Sequence, residues 1–364
     1  MKITSAEFEY YRIPLAEKLV SAKFTLTHRE MVKVDIATDA GVNGVGWFMT
    51  PGVGAAAAMK LCQDSLAPAI IGQDPRNHEM IWDRLWSLCH FAGPGGLTTL
   101  AISGIDIALW DIKGKLAGEP LYRLLGGAKA EVGVYASNVN LHLEKDRLIE
   151  QAETHLAAGY RAFKMKLGRP TPEEDLDRCR AVRSVIGSEC DLMIDANQKW
   201  RSGEAVQRMA MLAEVKPLFI EEPILSDDIA GHARLRGQSP VPVAVGEQLC
   251  NKYEFWNYIR DDAVDYVQPC VWKVGGITEW MKIAAIAQTA NLIVSPHGAL
   301  ELSVHLAAAI PNSERIEHIF GVTLFSLGAT TVEPPIVNGA MKPAETPGHG
   351  VLLDGPALER YKVD

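Results

Sequence analysis

Two lysines and three carboxylates stand out in this chain because of where they sit relative to apolar runs. The segment Ala162-Phe-Lys-Met-Lys-Leu167 carries Lys164 and Lys166 two residues apart, and side chains two apart on a strand point to the same face. Leu192-Met-Ile-Asp195, Leu218-Phe-Ile-Glu221 and Val243-Ala-Val-Gly-Glu247 each end an apolar run in a carboxylate, at steps of 26 residues. If each run is a strand of one parallel sheet, neighbouring strands deliver the three acids to one place. There they repel one another strongly unless a cation stands between them. Oxygen ligands, few in number, suit a hard ion such as Mg2+, whereas zinc would want His or Cys. The bland alternative is that the acids are independent solvated strand ends and that the lysines decorate another; three acids at regular steps beside two lysines favour one joint site.

Two further runs end in groups able to move protons. Ile293-Val-Ser-Pro-His297 ends in a histidine and Arg315-Ile-Glu317 in a glutamate. Alone, His297 would read as a hydrogen-bonded structural residue; beside a metal, an acid/base role gains weight. Gly275-Gly276, just before a helical pattern, offers backbone amides to an anion or simply makes a tight turn. No Walker-type sequence and no convincing G-x-G-x-x-G after a strand is present, which sets nucleoside triphosphate and nicotinamide chemistry aside.

Such residues must be positioned by a scaffold, and the pattern along the chain supplies one. After Gly126-Gly127, eight β-branched runs alternate with amphipathic helices, ending near Asn138, Lys166, Asn197, Pro223, Glu247, Cys270, His297 and Ile319. The intervening helices include Leu148 to Ala158, Glu173 to Ile186, Glu204 to Glu214 and Ile277 to Ala290. Parallel βα units at such steady intervals point to a TIM-like barrel, whose strand ends converge on one mouth. Before it, strands at Ile3 to Ile13 and Met31 to Thr38 precede helices at Ala55 to Ile71, His78 to His90 and Leu97 to Ala117, which reads as an α+β domain. The Pro- and Gly-rich tail after Gly328 is expected to return to that domain. The expected division is therefore 1–128 completed by 329–364, around a barrel of 129–328.

The 364 residues are 48% hydrophobic and 22% charged, the balance of a compact folded chain long enough for two cores. A net charge of −9 disfavours nucleic acid and anionic membranes as partners, since both need clustered Lys and Arg. No apolar run approaches a membrane span and the start does not read as a signal peptide, so a cytoplasmic location is the default expectation. The six cysteines are scattered without a C-x-x-C pair, which suits neither a disulfide framework nor structural zinc.

Taken together, Ser103-Gly-Ile-Asp-Ile-Ala-Leu-Trp-Asp-Ile-Lys113, Lys164-Met-Lys166, Asp195-Ala-Asn197, Glu221-Glu-Pro223, Gly246-Glu247, Gly275-Gly-Ile-Thr278 and Pro296-His297 cover essentially the whole chain. In that combination the sequence resembles the enolase superfamily and, within it, the mandelate racemase subgroup. The resemblance implies a modified (β/α)7β barrel under an α+β N-terminal capping domain, with residues 16–30 and 47–54 as loops closing over the mouth. It implies Mg2+ held by Asp195, Glu221 and Glu247, and a small carboxylate substrate whose α-proton is removed to give an enediolate. Lys166 would be the base, made neutral by the nearby charges of Lys164 and the metal, while Lys164 stays charged against the enediolate oxygen. Glu317 would hydrogen-bond the substrate carboxylate, and His297 would face the substrate from the other side. Asn197, Lys23 and His28 are the candidate substrate contacts.

One position departs from the pattern. Where the subgroup has an Asp that hydrogen-bonds the histidine, and muconate-lactonising relatives a Lys, this chain has Cys270. Losing the Asp weakens His297 as a base and leaves it able to act as an acid, with Cys270 either packing or carrying a proton itself. That favours dehydration of an acid sugar to a 2-keto-3-deoxy acid. Racemisation, epimerisation and lactone cycloisomerisation are the competing outcomes, and a non-catalytic relic of the fold the remote one. Related proteins commonly form symmetric homo-oligomers, and the same is expected here.

Overall fold

The computed structural model describes residues 1–333 and 335–363. Its N-terminal part is an antiparallel meander of β1 (Ile3–Val20), β2 (Thr25–Thr38) and β3 (Gly44–Thr50). Val32, Val34 and Ile36 are buried and alternate with half-buried neighbours, so one face of β2 lies on the core. The helix Leu97–Ala117 packs there; it is apolar almost all round, which suits a helix covered on both sides. Residues 16–30, expected as a loop, are mostly hairpin: β1 and β2 continue outward, with Leu19 opposite Leu26 and Val20 opposite Thr25. At the hairpin tip Lys23, Phe24 and Thr25 are exposed in succession, so the alternation that marks a half-buried strand is lost there. Trp47–Thr50, also expected in a loop, belongs to β3.

Eight parallel strands follow: β4 (Val132–Ser137), β5 (Ala162–Lys166), β6 (Asp191–Asp195), β7 (Ile220–Glu221), β8 (Val243–Val245), β9 (Tyr266–Val267), β10 (Ile293–Val294) and β11 (Arg315–Ile319). They pair in chain order from β4 to β10, and β11 pairs with β4. Among the described residues β10 and β11 share no ladder, only the isolated bridge Val294 to Ser313, so the barrel has a seam there. Helices connect the strands, among them Lys145–Ala157, Pro172–Ile186, Ser202–Leu212 and Ile277–Thr289. This is a TIM-type barrel with an N-terminal capping region.

The tail serves both parts. β12 (Ile336–Val337) and β13 (Ala340–Met341) form a hairpin whose second strand runs antiparallel to β4. Beyond it Gly348 bridges Pro120, His349 Nε2 meets the carbonyl of Val45 at 2.8 Å, and Lys362 bridges Tyr11.

The cap grips the barrel through the motif around Ser103. Asp106 accepts the Thr278 amide at 2.9 Å and the Thr278 hydroxyl at 2.6 Å, and Trp110 Nε1 donates to that hydroxyl at 2.8 Å. Trp82 Nε1 donates to the carbonyl of Gly275 at 2.7 Å. The acidic group at the Gly275-Gly276 helix start is therefore the chain's own Asp106 carboxyl. A side chain at residue 276 would collide with it: φ is +99°, and an added Cβ would lie 2.4 Å from Asp106 Oδ2. Among the described residues no helix is long and apolar enough to cross a membrane.

Candidate active site

Strand register builds the site. Lys166, Asp195 and Glu221 are consecutive cross-strand partners on β5, β6 and β7, one strand spacing of about 4.8 Å apart. Glu247 lies just beyond β8, Cys270 beyond β9 and His297 beyond β10. Beneath this polar layer Tyr135, Ala162, Met193, Phe219 and Ala244 pack together, closing the barrel interior with apolar side chains. Gly246 is needed where it is: a Cβ there would lie 2.5 Å from the Gln268 carbonyl, and this close passage carries Glu247 to the mouth.

Burying this many charges requires that they pair. Lys164, 2% exposed, lies 2.6 Å from both Glu221 Oε2 and Glu317 Oε1. Lys166 pairs with Asp195 Oδ2, which leaves Oδ1 to accept the Asn197 amide at 2.7 Å. His297 Nε2 lies 2.9 Å from Glu247 Oε2 and 3.8 Å from Glu317 Oε2. Burial alone would make each base weaker, but at all three the carboxylates outweigh it. Glu221 and Glu317 hold Lys164 protonated, Asp195 does so for Lys166 despite the charge of Lys164, and Glu247 with Glu317 does so for His297.

Without a bound ion this pairing sets the charge states. Asp195 attracts Lys166 more than Lys164 repels it, so Lys166 stays protonated until a cation draws Asp195 away. Glu317 is ionised. Burial raises its pKa, yet Lys164 and His297 overcome this and bring it to about 2, while Ser137 Oγ and the Gly298 amide donate to it at 2.6 and 3.1 Å. Its charge in turn favours the protonated forms of Lys164 and His297.

The predicted metal ligands stand side by side but each has another partner, and among the described residues no three His, Cys, Asp or Glu groups close round a single point. Their chemistry nevertheless fits a hard cation. All are oxygen donors, and Glu221 Oε1 and Asn197 Oδ1 are buried without any hydrogen bond. Burial and the neighbouring Asp195 push the Glu221 carboxyl up, which is strain that a cation relieves. Gln268, overlooked in the sequence, steadies Glu221 Oε2 at 2.9 Å; its place at the end of β9, two residues before Cys270, was the available signal.

Above these groups lies a cavity of about 390 Å³ lined by Lys166, Asn197, Glu247, Cys270, His297 and Glu317, among others. Asn197 is held over it with φ +42°, a left-handed conformation that Asn tolerates better than most residues. Lys23 and His28 do not line it. Lys23 is exposed on the hairpin turn, and His28 packs against Gly52 beside Thr27. From this stretch it is Arg29 that brings a charge to the cavity, beside Phe24 and Leu26.

Residues 10–126 match the family described as mandelate racemase / muconate lactonizing enzyme, N-terminal domain, and residues 147–357 match the enolase C-terminal domain-like family. The chain belongs to the enolase superfamily, in its mandelate racemase/muconate lactonizing group. It is 38% identical over 358 residues, 98% of either chain, to a 3,6-anhydro-alpha-L-galactonate cycloisomerase of Streptomyces coelicolor. To the L-talarate/galactarate dehydratase of Salmonella typhimurium it is 34% identical over 313 residues, 84% of this chain and 78% of the other. A racemase from Streptomyces coelicolor, solved with bound magnesium, superposes with a TM-score of 0.95 at 37% identity, over 99% of this chain and 100% of that one. The L-talarate dehydratase of Polaromonas sp. JS666, complexed with Mg and L-glucarate, gives 0.93 at 34% identity over 100% and 98%.

Cys270 lies beside His297 at this site. Burial raises its pKa, but the His297 imidazolium outweighs this and lowers it. Among the described residues His297 Nδ1 is buried without a partner. The charges that raise the pKa of His297 come from Glu247 and Glu317.

Proposed function

We infer that this chain removes the α-proton of an acid sugar in a Mg2+-dependent reaction and then eliminates the β-hydroxyl, giving a 2-keto-3-deoxy acid. The observation that carries this reading is the pairing in one cavity of Lys166 with a His297 kept protonated by Glu247 and Glu317. Without the ion both Lys166 and His297 are held protonated; an ion drawing Asp195 away from Lys166 would free the amine to accept a proton, while His297, still beside Glu317, would give one. Held by Asp195, Glu221 and Glu247, Mg2+ would supply positive charge for the substrate carboxylate and compete with Lys166 for Asp195.

Lys166, once it has given up its proton, takes the α-hydrogen, and the C–H electrons pass into the carboxylate to give the enediolate. Lys164 stays charged and stabilises that oxygen. The electrons then return, the Cβ–O bond breaks, and His297 delivers its proton to the departing hydroxyl, which leaves as water. The enol that remains rearranges to the keto acid.

A second reading has specific support in the 38% identical cycloisomerase. If the leaving oxygen belongs to a ring, the same base and acid open the ring, and nothing is lost. Racemisation fits less well, because in one direction His297 would have to act as a base against the charge of Glu247.

The test is proton NMR in D2O with Mg2+ against a panel of acid sugars, sugar lactones and α-substituted acids. New 3-deoxy signals with loss of 18 mass units, the mass of water, establish the dehydratase. A ring-opened product of unchanged mass establishes the cycloisomerase. Exchange of the α-proton with no elimination overturns both.

A further inference from the structure

The cavity has two unlike faces. Its floor, from the barrel, carries Lys166, Glu247, His297 and Glu317 among apolar neighbours such as Trp272 and Ile319. Its roof, from the N-terminal region, is built of Leu19, Phe24, Leu26, Val53, Leu97 and Leu100. Of the polar side chains that the same region brings to the cavity, Thr50 spends its hydroxyl on Glu30 at 3.0 Å. That leaves Arg29, which makes no side-chain hydrogen bond or ion pair among the described residues and whose Nε is buried without a partner. The charged groups near Arg29 are Cys270, Glu247 and Glu317, all of which line the floor, so its guanidinium lies on the floor side of the cavity.

A hydroxyl pressed against this roof would lose its water and gain no partner. Each such loss weakens binding about tenfold. An open-chain acid sugar carries a hydroxyl on every carbon beyond the carboxylate and cannot turn all of them to the floor.

We propose that the part of the substrate beneath the roof is poor in hydroxyl groups. It is a compact acid whose distal oxygens are closed into a ring ether or absent, and not an extended polyhydroxy chain. The orientation, carboxylate to the floor, rests on the proton-abstraction reading above.

The test is calorimetric titration of the protein with Mg2+ against two six-carbon acids, 2-hydroxyhexanoate and D-galactonate. The hydroxyl-poor acid is expected to bind at least about tenfold tighter, although it offers fewer hydrogen bonds. Equal affinity, including none for either, or a preference for galactonate overturns the proposal. A second variant keeps the test specific to the roof. Val53 and Leu97 are 78% and 44% exposed, so V53S combined with L97Q leaves the packing of the fold intact. It is expected to shift the ratio about tenfold towards galactonate, and an unchanged ratio means that the roof does not touch the ligand. The functional reading is tested separately on the same samples: a 2-hydroxyhexanoate that binds but keeps its α-proton in D2O sinks proton abstraction and leaves the roof preference standing.

Discussion

The protein buries carboxylates in two places, and they are handled differently. At the joint between cap and barrel, each oxygen of Asp106 is met by a neutral donor on Thr278, and Trp110 completes the network. At the barrel mouth, four acids are balanced by two lysines and a histidine, while Glu221 Oε1, Asn197 Oδ1 and His297 Nδ1 have no partner. A buried network satisfied by uncharged groups is complete and holds two bodies together. One balanced only by opposed charges, with donors and acceptors left over, has capacity for a ligand and can move protons. Chemistry should therefore fail at the mouth without loss of fold, and the fold should weaken at the joint without loss of chemistry.

The largest effect is expected for Lys166→Ala. Removing the base should slow α-proton exchange by about 10^3-fold or more, while Mg2+ binding, followed by calorimetry, persists because the carboxylates remain. Retained exchange would refute the assignment of the base. Next comes His297→Asn, which removes the acid and leaves Lys166 in place. Elimination should fall about 10^2-fold while exchange in D2O continues, a split visible in one NMR experiment. If exchange and elimination fall together, His297 acts before the proton is lost and the division into base and acid is wrong.

How far the chain could be read beforehand follows the same division. The eight barrel strands were legible because a strand buried on both faces is a short apolar run, and β5 to β8 each end within two residues of an ionisable group at the mouth. The outward hairpin was not, since Leu19 and Leu26 are isolated apolar residues among polar ones until the roof brings them together. Lys23 and His28 misled because charge along a stretch does not reveal which of its residues meet the cavity; Arg29, the neighbour of His28, does. The charge state of Lys166 was also out of reach, because it depends on whether Asp195 or Lys164 lies nearer, which spacing along the chain does not give.

At the joint, Asp106→Ala should leave the exchange rate of the folded protein close to wild type and cost stability. The Thr278 amide loses its acceptor at the start of the helix Ile277–Thr289, and the cap loses one of its grips on the barrel. The expected cost is about 2 kcal/mol, read from urea unfolding. A variant as stable as wild type would mean that the tryptophan contacts of Trp82 and Trp110 hold the joint by themselves.

The smallest effect concerns the charge of Asp106, and it sharpens the claim that the joint is satisfied. Burial raises the Asp106 carboxyl to about 7, against the pull of the Thr278 donors in the opposite direction. An acid whose folded pKa is raised contributes most to stability where both states are protonated, below about 4. As the pH climbs to about 7 the unfolded chain ionises first and that contribution is lost; above it the difference is constant. Asp106→Asn cannot titrate, so the stability of wild type relative to this variant should decline between those limits, in urea unfolding curves collected at several pH values. A flat or rising difference would show that the amides at the helix start outweigh burial and keep Asp106 ionised. The joint would then share the reliance on charge that sets the mouth apart.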